Sequence, residues 1–183
     1  MNIKSACSTN QDPKAAVDAC CAELGQLAPE EISWLGLYFS DAYDGEDIIG
    51  HLLAALGPVP VHGGTSCLGV MTADGFASEG GFGMGILAIS DPEGSYGIGA
   101  AVLGDAPEAA AQTALKNALA HARRDGEVPA LVWINAAPGN EEELLQGIEA
   151  LIGPDVPITG GSTADNHVAG NDFQVVGEHV MQD

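Results

Sequence analysis

The stretch Leu35-Gly-Leu-Tyr-Phe39, an acidic turn, the helical run Ile48 to Leu56 and Pro60-Val-His-Gly-Gly-Thr65 return about 96 residues later as Leu131-Val-Trp-Ile134, the run Leu144 to Ile152 and Pro157-Ile-Thr-Gly-Gly-Ser162. The likeness extends upstream, where Pro13-Lys-Ala-Ala16 has its counterpart in Pro107-Glu-Ala-Ala110, and downstream, where Gly85 to Asp91 answers Val175 to Met181. The chain therefore reads as one unit of roughly 90 residues written twice, residues 1–91 and 96–183, packed about a pseudo-twofold axis into one compact domain. In such an arrangement the most constrained loop of the unit is presented twice to one shared space.

Within a unit, strands alternate with helices. Ile3 to Thr9 reads as a strand, and Asp12-Pro13 opens a helix with an N-cap and a first-turn proline that runs to about Leu27. Trp34 to Ser40 is a mostly apolar run bounded by turn signals, the pattern of a strand covered on both faces. Glu46 and Asp47 stand in the first turn of the next helix, where the macrodipole favours acids, and Gly57-Pro58 ends it. Val59-Pro60-Val61 leads a third strand into His62-Gly63-Gly64-Thr65-Ser66-Cys67, and a glycine-rich passage from Gly69 to Gly83 precedes the strand Met84 to Ile89. The second unit then supplies strand Tyr96 to Leu103, helix Pro107 to Arg123, strand Ala130 to Ile134, helix Glu141 to Ile152, strand Ile158 to Thr163 and strand Phe173 to Met181. The expected fold class is α/β, an internally duplicated βαβαββ unit with mostly parallel or mixed sheets and helices packed on them. The last strand of each unit follows a loop and not a helix, so it is expected to run antiparallel to its predecessor. One continuous sheet and two separate sheets fit the pattern equally.

Composition bounds the partners. The 183 residues suffice for a real core, and 46% hydrophobic with 17% charged residues is a globular balance. Five Lys and Arg face 26 Asp and Glu, a net charge of −21, which repels nucleic acid and anionic membranes alike. The N-terminal Met1 to Cys7 lacks the apolar core of a signal peptide, and no stretch reaches the roughly 18 apolar residues of a membrane span, so a soluble, cytoplasmic protein is expected. Cys7, Cys20, Cys21 and Cys67 have no metal-type spacing, and the acidic turn Asp41 to Asp47 lacks the spacing of a calcium loop.

The candidate site follows from the glycine pairs. Two glycines and then hydroxyls at a strand's carboxyl end can form a small cradle of N–H and O–H donors: Gly63, Gly64, Thr65, Ser66 and Cys67 in the first unit, and Gly160, Gly161, Ser162 and Thr163 with Asp165 and Asn166 behind them in the second. A tight turn that packs a strand end explains the same glycines. No lysine follows them, so a P-loop is excluded. Tyr43 and Asp41, in the turn after the second strand, complete the candidate ligand-binding set. Cys67, with His62 five residues before it, Ser66 and Thr65 are the nucleophile candidates, although the net negative charge works against a thiolate. His62, His167 and His179 are unevenly spaced, while His51 and His121 fall on helices, so no metal site is read.

Leu37-Tyr-Phe-Ser40-Asp-Ala-Tyr-Asp44, the helix after it, Val59 to Cys67, and later Pro157-Ile-Thr-Gly-Gly-Ser-Thr-Ala-Asp165 resemble the FIST N-terminal sensory domain over about residues 30–183. The sequence departs from the family pattern where Gly64 takes the place of a cysteine and the thiol comes three residues later, at Cys67. The resemblance implies signal input and not turnover, by a domain that commonly continues into a C-terminal partner domain. It implies a small ligand, an amino acid for the family at large and haem for some nitric-oxide-sensing members. The leading expectation is a sensory domain without a required cofactor, its amino-acid-like ligand held between the two Gly-Gly-hydroxyl loops, its ammonium on Asp41, Asp44 or Asp165. The alternatives are a haem-binding gas sensor and a Cys/Ser-dependent hydrolase or transferase. Expected partners are the small ligand and a C-terminal domain, a downstream signalling protein or a second copy.

Overall fold

A computed structural model describes residues 1–25 and 27–182. The elements in chain order are β1 (Asn2–Ser8), α1 (Pro13–Leu24), a short 3-10 turn (Pro29–Glu31), β2 (Trp34–Phe39), α2 (Gly45–Leu56), β3 (Val61–Thr65), β4 (Val70–Thr72), β5 (Gly75–Ala77), β6 (Met84–Ser90), α3 (Pro107–His121), β7 (Val132–Ala136), α4 (Glu141–Ile152), β8 (Ile158–Ser162), β9 (Gln174–Val176) and β10 (His179–Met181). The fold is mixed α/β, and the strands form a six-stranded sheet in the order β1-β6-β2-β3-β9-β10 with two smaller two-stranded sheets, β4-β5 and β7-β8.

Local chemistry sets the helix ends. Asp12 accepts from Ala15 N to cap α1, and Asp44 accepts from Asp47 N to cap α2. The structure ends α1 at Leu24 with Gly25 beyond it, earlier than the expected Leu27; Gln26 lies outside the described residues. Leu35, Leu37 and Phe39 on β2 are fully buried against α1 and α2, each contributing about 1.5–3 kcal/mol by burial. A separate, smaller core joins α3 and α4 to β7 and β8 through Ala111, Leu115, Leu144 and Ile148. Helices α1 and α2 thus cover one face of the large sheet, and the β7-β8 pair lies against the other through Trp34, Tyr38 and His62, with α3 and α4 outermost.

The strand pairs correspond closely. Strands β2 and β3 are parallel with Leu35 opposite Val61, and β7 and β8 are parallel with Val132 opposite Ile158; each residue stands 97 positions from its counterpart. Leu35 N donates to Pro60 O at 2.9 Å and Val132 N to Pro157 O at 3.0 Å, so the hydrogen-bond phase matches too.

Three expectations are corrected. Tyr96 to Leu103 forms no strand: Gly97 and Gly99 lie against α3, where an added Cβ would sit 1.9 Å from Ala118 O and 2.4 Å from Ala114 O, but among the described residues no strand pairs with the segment. Phe173 to Met181 is not one strand but the hairpin β9-β10, because Gly177 turns the chain at φ +59° and β9 then pairs antiparallel with β3. The passage Gly69 to Gly83 contains the hairpin β4-β5. The strand β6 runs antiparallel as expected, yet it pairs with β1 and β2 and not with its predecessor. Among the described residues no helix is long and apolar enough to cross a membrane.

Candidate functional site

The carboxyl ends of β3 and β8 meet, and their threonines lace the junction. Ala164 N donates to Thr65 O at 3.2 Å, Phe173 N donates to Thr65 Oγ1 at 3.1 Å, and Thr163 Oγ1 donates to Asp172 Oδ2 and accepts from Gln174 Nε2, both at 2.7 Å. Beside this junction opens a cleft of about 450 Å³ lined by Tyr38, Thr65, Ser66, Cys67, Trp133, Asn135 and the segment Gly160 to Ala164.

The nominated residues separate into those on the cleft and those spoken for elsewhere. Thr65, Ser66, Cys67, Gly160, Gly161, Ser162 and Thr163 come together on it. Both glycine pairs lie inside strands and not in loops. Gly63 is demanded by packing, since an added Cβ would stand 1.7 Å from Leu37 O, and a Cβ added at Gly64 would stand 2.5 Å from Thr163 Cγ2 and 2.6 Å from Phe173 O. A Cβ added at Gly160 would likewise stand 1.9 Å from Ile134 O, whereas Gly161 has open space before it. Ser162 Oγ donates to Glu141 Oε1 at 2.6 Å, and this contact, with the Gly139 amide, holds the Glu141 carboxyl below the usual carboxylate range.

Asp165, Asn166, Asp41 and Tyr43 organise the surroundings instead. The buried Asp165 carboxylate accepts from the amides of Asn171, His167 and Ala169 at 2.7 to 3.0 Å, which depresses its pKa and shapes the loop after β8. Asn166 N donates to Asp41 Oδ1 at 2.9 Å, while the Asn166 side chain accepts from Leu68 N and donates to Gly81 O. Tyr43 is buried between Phe39 and Phe82 and donates to Asn10 O at 2.6 Å. Burial pushes its hydroxyl up to about 12, so it stays protonated. Asp44, an expected ammonium partner, caps α2. Cys67 is exposed, and among the described residues no hydrogen bond joins it to an imidazole.

Residues the glycine pattern did not point to form the cleft's inner wall. Trp133 Nε1 donates to Tyr38 Oη at 2.8 Å, Tyr38 donates to Asn135 Oδ1 at 3.1 Å, and Asn135 Nδ2 reaches His62 Nδ1 at 3.3 Å. Reversing the Asn135 amide would leave the Tyr38 proton without an acceptor, so Nδ2 is the donor and His62 Nδ1 accepts. Desolvation lowers the His62 pKa to about 4, keeping the ring neutral with its proton on Nε2. Trp34 packs on both Trp133 and His62, with centroids 5.2 and 5.9 Å apart. One signal was available: along β2, Trp34, Gly36 and Tyr38 alternate with the buried Leu35, Leu37 and Phe39, which puts them on the opposite face.

A family model for the FIST N domain matches residues 34–183. The chain belongs to the FIST N domain family. No curated protein matches it. As a FIST N domain it carries a sensory, signal-input role. His62 lacks the usual pattern of an iron-ligating histidine, which donates its second ring nitrogen to an acceptor, because His62 Nδ1 faces an amide donor. Among the described residues no group of three or more His, Cys, Asp and Glu is placed to hold a metal ion.

Proposed function

We propose that this cytoplasmic FIST N domain senses a small zwitterionic ligand, an amino acid foremost, bound in the cleft between the ends of β3 and β8. The observation that carries the reading is the convergence of both glycine-hydroxyl segments on that one space. The ligand carboxylate takes the Ser66 hydroxyl and the N–H groups of Gly160 and Ser162, which lie on the edge of β8 turned away from β7. The ammonium takes Glu141, already within hydrogen-bond reach of Ser162, and not the capping carboxylates Asp44 and Asp165. A neutral zwitterion suits a protein of net charge −21 better than an anion does. The aromatic wall of Trp133 and Tyr38 offers the ligand side chain an apolar contact. Ligand occupancy is then passed to a C-terminal domain or a downstream signalling protein.

The test is a panel of the twenty amino acids at millimolar concentration read by thermal stabilisation and calorimetry. One or a few should stabilise saturably, and Ser66→Ala, Ser162→Ala and Glu141→Gln should each weaken that binding roughly tenfold, the effect of losing one charge-assisted hydrogen bond. If no amino acid stabilises the protein, or the three variants bind as the parent does, the assignment is wrong.

A further inference from the structure

We infer that the open edge of β7 is the seat of an added β-strand, an uncharged, apolar polypeptide segment that runs antiparallel to β7. The first half of the chain contains the filled version of this seat. There β6 lies between β1 and β2 and pairs antiparallel with both, Met84 opposite Ser8 and Phe39, Ile89 opposite Ile3 and Trp34. In the second half β7 stands in the place of β2 with the same register to its parallel partner. The extended segment 97–103 stands in the place of β1, flat on its helix, with Asn117 Nδ2 donating to Ala100 O at 3.0 Å. Between them, among the described residues, there is no strand.

What lies between them is an open groove of about 140 Å³, floored by Ala111, Leu115, Leu144 and Ile148 and walled by Ala101 and Trp133. On β2 the hydrogen-bonding positions turned away from β3 are Gly36 and Tyr38, and β6 takes them. On β7 the positions turned away from β8 are Trp133 and Asn135, whose main-chain N–H and C=O groups face the groove with no partner strand among the described residues. A row of alternating donors and acceptors above an apolar floor is the recognition surface for strand addition, in which main-chain bonds supply affinity and alternate side chains fill pockets. A small apolar molecule could fill the floor but would leave that row unsatisfied.

The occupant's chemistry is read from β6, Met84-Gly-Ile-Leu-Ala-Ile-Ser90, which carries no charge and buries Met84, Ile86 and Ala88 towards the helices. A second copy of the chain is disfavoured by charge, since each copy carries −21. The seat is separate from the ligand cleft, although Trp133 and Asn135 border both, so the two readings fail independently.

The experiment adds a synthetic peptide of the β6 sequence, flanked by lysines, to the full chain and follows residue-resolved amide exchange by NMR. Saturable binding that slows the Trp133 and Asn135 amides about tenfold or more, and leaves the β2 amides unchanged, is the expected result. A peptide with Ile86→Lys should not bind, and Ala114→Trp, which fills the groove from α3, should abolish the effect in the protein. Ala101→Lys serves the same purpose on the opposite wall if Ala114→Trp does not fold. The proposal is overturned by an absence of slowing, by equal binding of both peptides, or by a concentration-dependent dimer that protects the same amides without peptide.

Discussion

Tyr38 and Asn135 occupy the same register position in their strand pairs, opposite Gly64 and Gly161 respectively, and they bond directly, Tyr38 Oη donating to Asn135 Oδ1 at 3.1 Å. The two parallel strand pairs therefore meet at matching positions of their ladders. The chain Trp133 to Tyr38 to Asn135 to His62 runs through that point and ties the β7-β8 pair to the large sheet.

Tyr38→Phe should therefore do more than delete one hydroxyl. It leaves Trp133 Nε1 without an acceptor and Asn135 Oδ1 without a donor, at a cost of about 1 kcal/mol for half-buried groups on the wall of a cleft. Urea unfolding measures the loss, and tryptophan emission should shift as the indole loses its partner.

Acid should weaken the same wall. The His62 pKa is lowered to about 4 from an ordinary 6.5, so the unfolded state binds the extra proton between those values. The stability due to neutral His62 is fully present above about pH 6.5 and lost as pH falls towards 4, on the order of 2 kcal/mol across that window. Comparing parent and His62→Gln by urea unfolding from pH 7 to pH 4.5 isolates this contribution from the carboxylates common to both; parallel curves would show that the ring is not responsible.

The glycine pairs are not equivalent. Gly63→Ala and Gly160→Ala should each destabilise by about 3 kcal/mol, because a methyl would collide with the carbonyl of Leu37 or Ile134. Gly161→Ala should leave stability within about 0.5 kcal/mol, having open space before it, while changing ligand affinity in the cleft. Equal thermal losses at all three positions would contradict this division.

Asp165 should act as an organiser of its loop. Asp165→Ala should speed exchange of the His167, Ala169 and Asn171 amides roughly tenfold, with Asp165→Asn in between. Because its carboxyl pKa is depressed, its stabilising effect is present above the unfolded carboxylate range and fades as pH drops through the lower folded value. Exchange in that loop should therefore quicken in acid in the parent and be insensitive to pH in Asp165→Ala, once the intrinsic rate is divided out.

Much of this protein was legible along the chain, and the limits are instructive. Helices α1, α2 and α4 and strands β2, β3, β7 and β8 are local patterns, readable because caps, glycine stops and apolar runs act within a few residues. The convergence of Ser66, Cys67, Ser162 and Thr163 was also anticipated by the repeated glycine-hydroxyl segments, and the match to the FIST N domain agrees with the family resemblance those segments carry. Three things only the tertiary structure decided. Whether Tyr96 to Leu103 is a strand depends on a neighbour to bond with, and β6 has that place only in the first half. Whether Gly63 and Gly161 serve packing or open space depends on which carbonyl lies opposite. And Tyr38, Asn135, Trp133 and His62 form one hydrogen-bonded wall only because two strand pairs pack face to face, a contact between residues some seventy to a hundred positions apart that no local pattern encodes.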